Sequence, residues 1–239
     1  MSKRIVAVVI VVLVVGGLGA AVLMTVFGGD DDGEIAGPAA TTTTTKPLNS
    51  VARELIDRLA EARERDLHLV YSGALPAGQE GTLTVEVWWK GERARQSLVV
   101  EGPGQGRTES VAFVLDDGNA FCRRTETIPW ECQKAVSTAT AAGARAGIID
   151  SLVSSLEGKE VTSAPAKVGD EEAECYTLDP ATGDVLCLRQ DDVPVKFTFS
   201  GADLVLARAE TKVDDSIFEP PAKVQPGVPA STSSTTARG

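Results

Sequence analysis

TLTVEVWWKGERARQSLVVE, residues 82–101, alternates with a period of two. Leu83, Val85, Val87 and Trp89 fall on one parity, and Thr84, Glu86 and Trp88 on the other. Successive side chains of a strand point to opposite faces, so this spacing predicts a strand with one face buried. Lys90, Gly91 and Glu92 then supply a turn, and a second strand runs from Arg93 to Glu101. Two adjacent strands joined by so short a turn pair antiparallel, and the fold is read outward from this hairpin.

The period of two continues on both sides. Upstream, Leu67, Leu69 and Tyr71 alternate. Downstream, the loop from Gly102 to Arg107 leads to a strand from Glu109 to Leu115, and Asp116, Asp117, Gly118 and Asn119 make a hairpin turn into Ala120–Arg124. Further strands are expected at Glu174–Leu178, Asp184–Gln190, Val195–Phe199 and Leu204–Val213. Two stretches have helical spacing instead. The first is capped by Asn49 or Ser50 and carries Val51, Leu55, Ile56, Leu59 and Ala62. The second runs from about Gln133 to Leu156, with Ile148, Ile149, Leu152, Val153 and Leu156 as its packing face. Helices and strands do not alternate one for one, which argues against a parallel doubly wound sheet. The expected class is α+β, an antiparallel sheet with two packed helices.

Ahead of this lies an apolar run from Ile5 to Phe27. A helix of that length reaches roughly 34 Å, enough to cross a hydrocarbon core of about 30 Å. Lys3 and Arg4 precede the run and Asp30, Asp31 and Asp32 follow it, so the basic flank should stay in the cytoplasm and the remainder be exported. A cleaved secretory signal is the alternative, since Gly19, Ala20 and Ala21 are small enough for a peptidase, but the apolar stretch outlasts a typical signal core. The expected organisation is a cytoplasmic stub over 1–4, a transmembrane helix over 5–27, a Thr-, Gly- and Asp-rich tether over 28–47, an extracytoplasmic domain over 48–221 and a disordered tail over 222–239. Without Lys3 and Arg4 the chain has 21 basic against 34 acidic residues, a formal charge of -13. That sign disfavours nucleic acid and anionic lipid headgroups as partners.

Four cysteines in an exported chain read as two disulfides. Cys122 and Cys132 bracket RRTETIPWE, while Cys175 and Cys187 bracket YTLDPATGDVL, so each pair is expected to close a short loop across a turn. The paired C-x-x-C spacings of a zinc site are missing. His68, the lone histidine, has no G-x-S-x-G to accompany it and reads as structural. Gly102, Gly104 and Gly106 lack the ending of a phosphate-binding loop. The pairs Asp116/Asp117, Asp191/Asp192 and Asp214/Asp215 lack calcium-loop spacing and read as solvated turn residues. No catalytic residue, metal ligand or cofactor is singled out, and an envelope hydrolase ranks third among the functional readings. The candidate site is apolar. Leu83, Val85, Val87 and Trp89 on one strand and Phe197 and Phe199 on another would line a cavity for a lipid or acyl chain if the sheet curls, or would be packed solid in a structural or interaction subunit.

A capped helix leading into LVYSG, a strand pair through WWKGERAR, a turn at LDDGNAF, a helical insertion and strands closing on VDDSIFEPPA together resemble the LolA-like superfamily of lipoprotein and lipid carriers. That group includes mycobacterial lipoproteins of the LppX and LprG type and the sensor domain that reads envelope stress for anti-sigma factors. The resemblance covers residues 48–221. It implies a half-barrel of antiparallel strands capped by helices around an apolar cavity, with a lipid or lipoprotein ligand or an envelope protein partner. The chain departs from the lipoprotein members in having no lipobox cysteine. A tethered protein also could not ferry a ligand across the envelope.

Overall fold

The computed structural model describes residues 47–62, 65–75, 79–104, 106–116, 118–135, 152–199 and 202–226. The predicted membrane helix over 5–27, nearly all of the tether and most of the predicted tail lie outside them. Among the described residues no helix is long and apolar enough to cross a membrane.

One large open sheet organises the domain. Its strands are β1 (Leu67–Ala74), β2 (Thr82–Lys90), β3 (Arg93–Gly102), β4 (Gly106–Val114), β5 (Ala120–Thr125), β6 (Glu131–Lys134), β7 (Thr162–Val168), β8 (Glu171–Asp179), β9 (Asp184–Arg189), β10 (Pro194–Phe199), β11 (Ala202–Glu210) and β12 (Val224–Gln225). They lie in the order β12-β6-β5-β4-β3-β2-β1-β11-β10-β9-β8-β7. Every pairing described is antiparallel except β12 with β6. The chain builds one half outward from β1 to β6, crosses to the far edge, and returns through β7 to β11, which closes on the other side of β1.

The β2–β3 hairpin forms as the alternation predicts. Lys90 pairs with Arg93 around a two-residue turn whose first residue, Gly91, has φ +54°, the conformation a hairpin turn needs there. At the seam between β1 and β11, Gly73 is obligatory for another reason: a Cβ on it would stand 1.8 Å from the carbonyl oxygen of Asp203.

Register sorts the side chains onto two faces. On the inner face, Leu67, Leu69 and Tyr71 stand opposite Trp89, Val87 and Val85. They join Leu83, Tyr176, Leu186, Phe197 and Leu204 in the main core. Helix α1 (Ser50–Ala62) covers this face, burying Ala52 and Leu55 completely. Asn49 caps it: its Oδ1 accepts from the amide of Ala52 at 2.8 Å, while its Nδ2 donates to the carbonyl of Val161 at 2.7 Å.

The structure differs from the sequence reading at four places. β7 has no apolar pattern because its residues are exposed or half-buried at the sheet's edge, and backbone pairing with β8 defines it. Residues 131–134, placed partly in the second helix, are strand because the pairing of Cys122 with Cys132 draws them into the ladder. Of that helix, residues 152–156 are helical and residues 136–151 lie outside the described set. The last long strand stops at Glu210, three residues short of Val213. The sheet also continues past Pro221, where the sequence reading ends the domain, because Val224 and Gln225 pair with Cys132 and Gln133.

Candidate functional site

Five of the six apolar residues singled out in the sequence occupy the inner face. Leu83, Val85, Val87, Trp89 and Phe197 are all buried in the main core. The backbone of Phe199 is in β10 opposite Ala202. Across the ladder from Leu83 and Val85 stand Val100 and Leu98 of β3, which are only half-buried, as are Val51, Ile56 and Leu59 of α1. Along the inner face, burial therefore passes from complete on β2 to partial on β3. Polar groups share this face farther out: Gln96 and Ser110, both buried, stand opposite Val87 and Leu98 respectively.

A polar clamp sets how α1 sits. Arg58 Nε donates to Asp192 Oδ1 at 2.5 Å, Nη1 to the Tyr176 hydroxyl at 2.9 Å and Nη2 to the carbonyl of Arg189 at 2.8 Å. Tyr176 in turn donates to Glu54 Oε1 at 3.1 Å, so the helix is tied to β8 and to the β9–β10 turn. Partial burial works against the Arg58 charge, but the bonds to Asp192 and Tyr176 outweigh it and raise its pKa. Burial pushes the Tyr176 phenol up, against the opposing pull of Arg58. Tyr71, fully buried, has its phenol raised by burial as well; its hydroxyl donates to the carbonyl of Pro194 and its ring packs tilted on Phe197, with centroids 4.7 Å apart.

The outer face carries a feature the sequence reading did not assemble. Glu210, His68, Trp88, Arg95 and Phe113 are direct cross-strand neighbours on β11, β1, β2, β3 and β4. Glu210 Oε2 is 3.0 Å from His68 Nδ1. The His68 ring stacks on Trp88 at 4.7 Å with the planes 12° apart. The Arg95 guanidinium lies 4.5 Å from the Trp88 ring centre and 5.5 Å from that of Phe113. Burial depresses the pKa of Arg95, with Glu86 and Glu109 opposing it.

Over this row runs the segment after β11. Val213 and Phe218 bury against Trp88, with Leu115 and Ile217 beside them. Arg95 Nη1 donates to the carbonyl of Ile217 at 2.9 Å and Lys90 Nζ to that of Val213 at 3.0 Å. Lys90 and Arg93 both pair with Asp215, and the Arg93 guanidinium sits 4.9 Å from the Phe218 ring centre. Asp214 caps the 3-10 turn Asp215–Phe218 by accepting from the amide of Ser216 at 2.8 Å. The segment then reaches β6, where Ala222 and Val224 pack with Trp130 around the buried Cys122–Cys132 disulfide. One signal for this surface was present: Trp88 sits on the outward parity, after Thr84 and Glu86, where a large apolar ring needs a cover.

The second disulfide, Cys175–Cys187, lies on the same outer face in the other half of the sheet. The ladder irregularity in its hairpin falls between Thr177 and Asp179, beyond the cysteines, so these stay directly opposed. Of the acidic pairs, Asp192 holds Arg58, Asp191 holds Arg189, and Asp214 and Asp215 hold the outer segment. Among the described residues no group of three or more His, Cys, Asp or Glu side chains is placed to hold a metal ion.

No family model matches the chain, and no curated protein matches it. Among solved structures, it is similar to the protein described as "Crystal structure of MucB in complex with MucA(peri)", at 19% identity and a TM-score of 0.40, covering 68% of this chain and 56% of that one. It is also similar to "Structure of PNGF-II in C2 space group", at 7% identity and a TM-score of 0.31, covering 68% of this chain and 31% of that one. The chain thus spans about half the length of the first and a third of the second. At these values neither likeness assigns a function.

Proposed function

We propose that this chain is a membrane-tethered, extracytoplasmic, non-enzymatic binding or sensing module of the cell envelope. Its ligand is the acyl part of a lipid or lipoprotein, held on the inner face of a LolA-like half-barrel. The observation that carries this reading is the burial gradient on that face. Leu83 and Val85 are completely buried, whereas Val100 and Leu98 directly opposite them are half-buried, as are Val51, Ile56 and Leu59 of the covering helix. Apolar side chains left partly open between a helix and a sheet suit a hydrocarbon chain, which needs burial and few polar partners. Stacking of His68 on Trp88 beneath the segment that buries Trp88 supports a structural role for the lone histidine.

The test is native mass spectrometry with lipid extraction on the chain purified from membranes. A retained lipid displaced by substituting Leu98 and Val100 with Asp supports the reading; a bare protein removes it. The second reading, an interaction subunit packed solid, is favoured by the complete burial of Leu83, Val85 and Val87 and would survive that result. Topology is tested separately. Protease added to spheroplasts should digest the domain while sparing the basic N-terminal stub, and protection of the whole chain would overturn the tether.

A further inference from the structure

The outer-face groove is built like a peptide site. Its floor is apolar and aromatic, Trp88 and Phe113, with the Cys122–Cys132 disulfide at its end. Its rim is basic: Lys90, Arg93 and Arg95. Two of the four bonds they make to the seated segment go to backbone carbonyls, which any extended chain offers, and the other two go to Asp215. The sequence-dependent part is short: a carboxylate at Asp215 between Lys90 and Arg93, and three residues later an aromatic ring, Phe218, between Arg93 and Trp88. At its far end the segment adds two residues to the outer edge of β6, the one parallel pairing among the described residues. Only Val213 and Phe218 of the seated segment are fully buried; Ile217, Ala222 and Val224 are half-covered.

We propose that this groove is a peptide-docking site, occupied here in cis by residues 213–225. Its partner in trans is an extended segment of another protein bearing a carboxylate three residues before an aromatic residue. The cis segment is then a competitor. It lowers the apparent affinity for the partner in proportion to the fraction of time the groove is covered, so loosening it should tighten binding in trans. This site is on the opposite face from the apolar one and does not depend on the lipid reading.

The probe is a fluorescent peptide with the sequence of residues 213–226, titrated by anisotropy into the full chain. Phe218→Ala in the protein should raise its affinity by about tenfold or more over the wild type, as expected when a competitor is removed. Lys90→Glu and Arg93→Glu added together to that variant should abolish binding, and a peptide carrying Asp215→Lys should restore it. Intact disulfides and an unchanged circular dichroism spectrum establish that the variants are folded. Should Phe218→Ala fail that check, Asp215→Ala in the protein serves as the loosening change. Equal affinity for wild-type and loosened chains, no rescue by the charge swap, or conversion of the loosened chain to a segment-swapped dimer on size-exclusion chromatography would each overturn the proposal.

Discussion

Arg58→Ala should loosen helix α1 from the sheet, and the cost can be worked out from its contacts. The guanidinium makes three bonds, to Asp192, Tyr176 and the carbonyl of Arg189, and its side chain is 22% exposed against 17% for Asp192. An exposed ion pair is worth roughly 0.2–1 kcal/mol and breaking a fully buried one costs about 3–5 kcal/mol. This pair lies between those limits. Tyr176 keeps its bond to Glu54 and Asp192 can reach water, so the expected loss is about 2 kcal/mol. For a domain of this size that lowers the melting temperature by about 4–8 °C. Urea unfolding with the disulfides intact measures the loss, and hydrogen exchange locates it: the amides of Ser50–Ala62 should lose protection first. In a double-mutant cycle with Asp192→Ala, about 1 kcal/mol or more should appear as coupling. A loss below about 0.5 kcal/mol, or unchanged protection of the helix, would refute the view that this clamp sets the position of α1.

Gly73→Ala should cost more than any single surface change, because the added Cβ meets the backbone of Asp203 and only a shift of β1 against β11 can relieve it; expression and melting temperature report this. Replacing Cys175 and Cys187 together by Ser should cost about 3 kcal/mol in urea unfolding, and non-reducing peptide mapping of the parent should recover both local pairs. The outer segment should be acid-sensitive. Bonds from Lys90 and Arg93 hold the Asp215 carboxyl below its ordinary value of 3.8, so its stabilising contribution is complete above that value and is lost as the pH falls below it. The protection factors of the amides in residues 213–225, taken against intrinsic exchange at each pH, should fall on lowering the pH from 5 to 3, while Asp215→Asn lowers protection at pH 5 and leaves only the smaller dependence owed to Asp214.

The legibility of the fold followed burial. β1 and β2 show in the sequence because apolar residues recur on one parity, and β3 to β5 because turn signals bracket them, so that Leu83, Val85 and Val87 meet the core even though β4 is buried on both faces. β7 does not show, since Thr162–Val168 lies at the edge of the sheet and is specified only by backbone bonding to β8. Glu131–Lys134 is held as strand by its pairing with β5, and a disulfide expected as a loop closure became a rung of the ladder. The inner apolar residues were recognisable from parity alone. The outer row was not, because Glu210, His68, Trp88, Arg95 and Phe113 come together only through the register of four strand pairings, and a register cannot be read from any one strand.

The seam between β1 and β11 also constrains the order in which the domain can assemble. His68 and Glu210, which meet across it, are separated by 142 positions in sequence, whereas β2 to β6 are joined by successive local hairpins. The local half can zip as soon as residues up to 134 are available. β1 keeps one edge unpaired until the last long strand arrives, because closing so long a loop costs entropy that only the completed seam returns. Refolding should therefore show a fast phase in the hairpins containing Trp88 and Phe113 and a slower one that buries Tyr71 and Leu204. In the interval, the open edge of β1 is the surface on which the emerging chain is most exposed to wrong pairing.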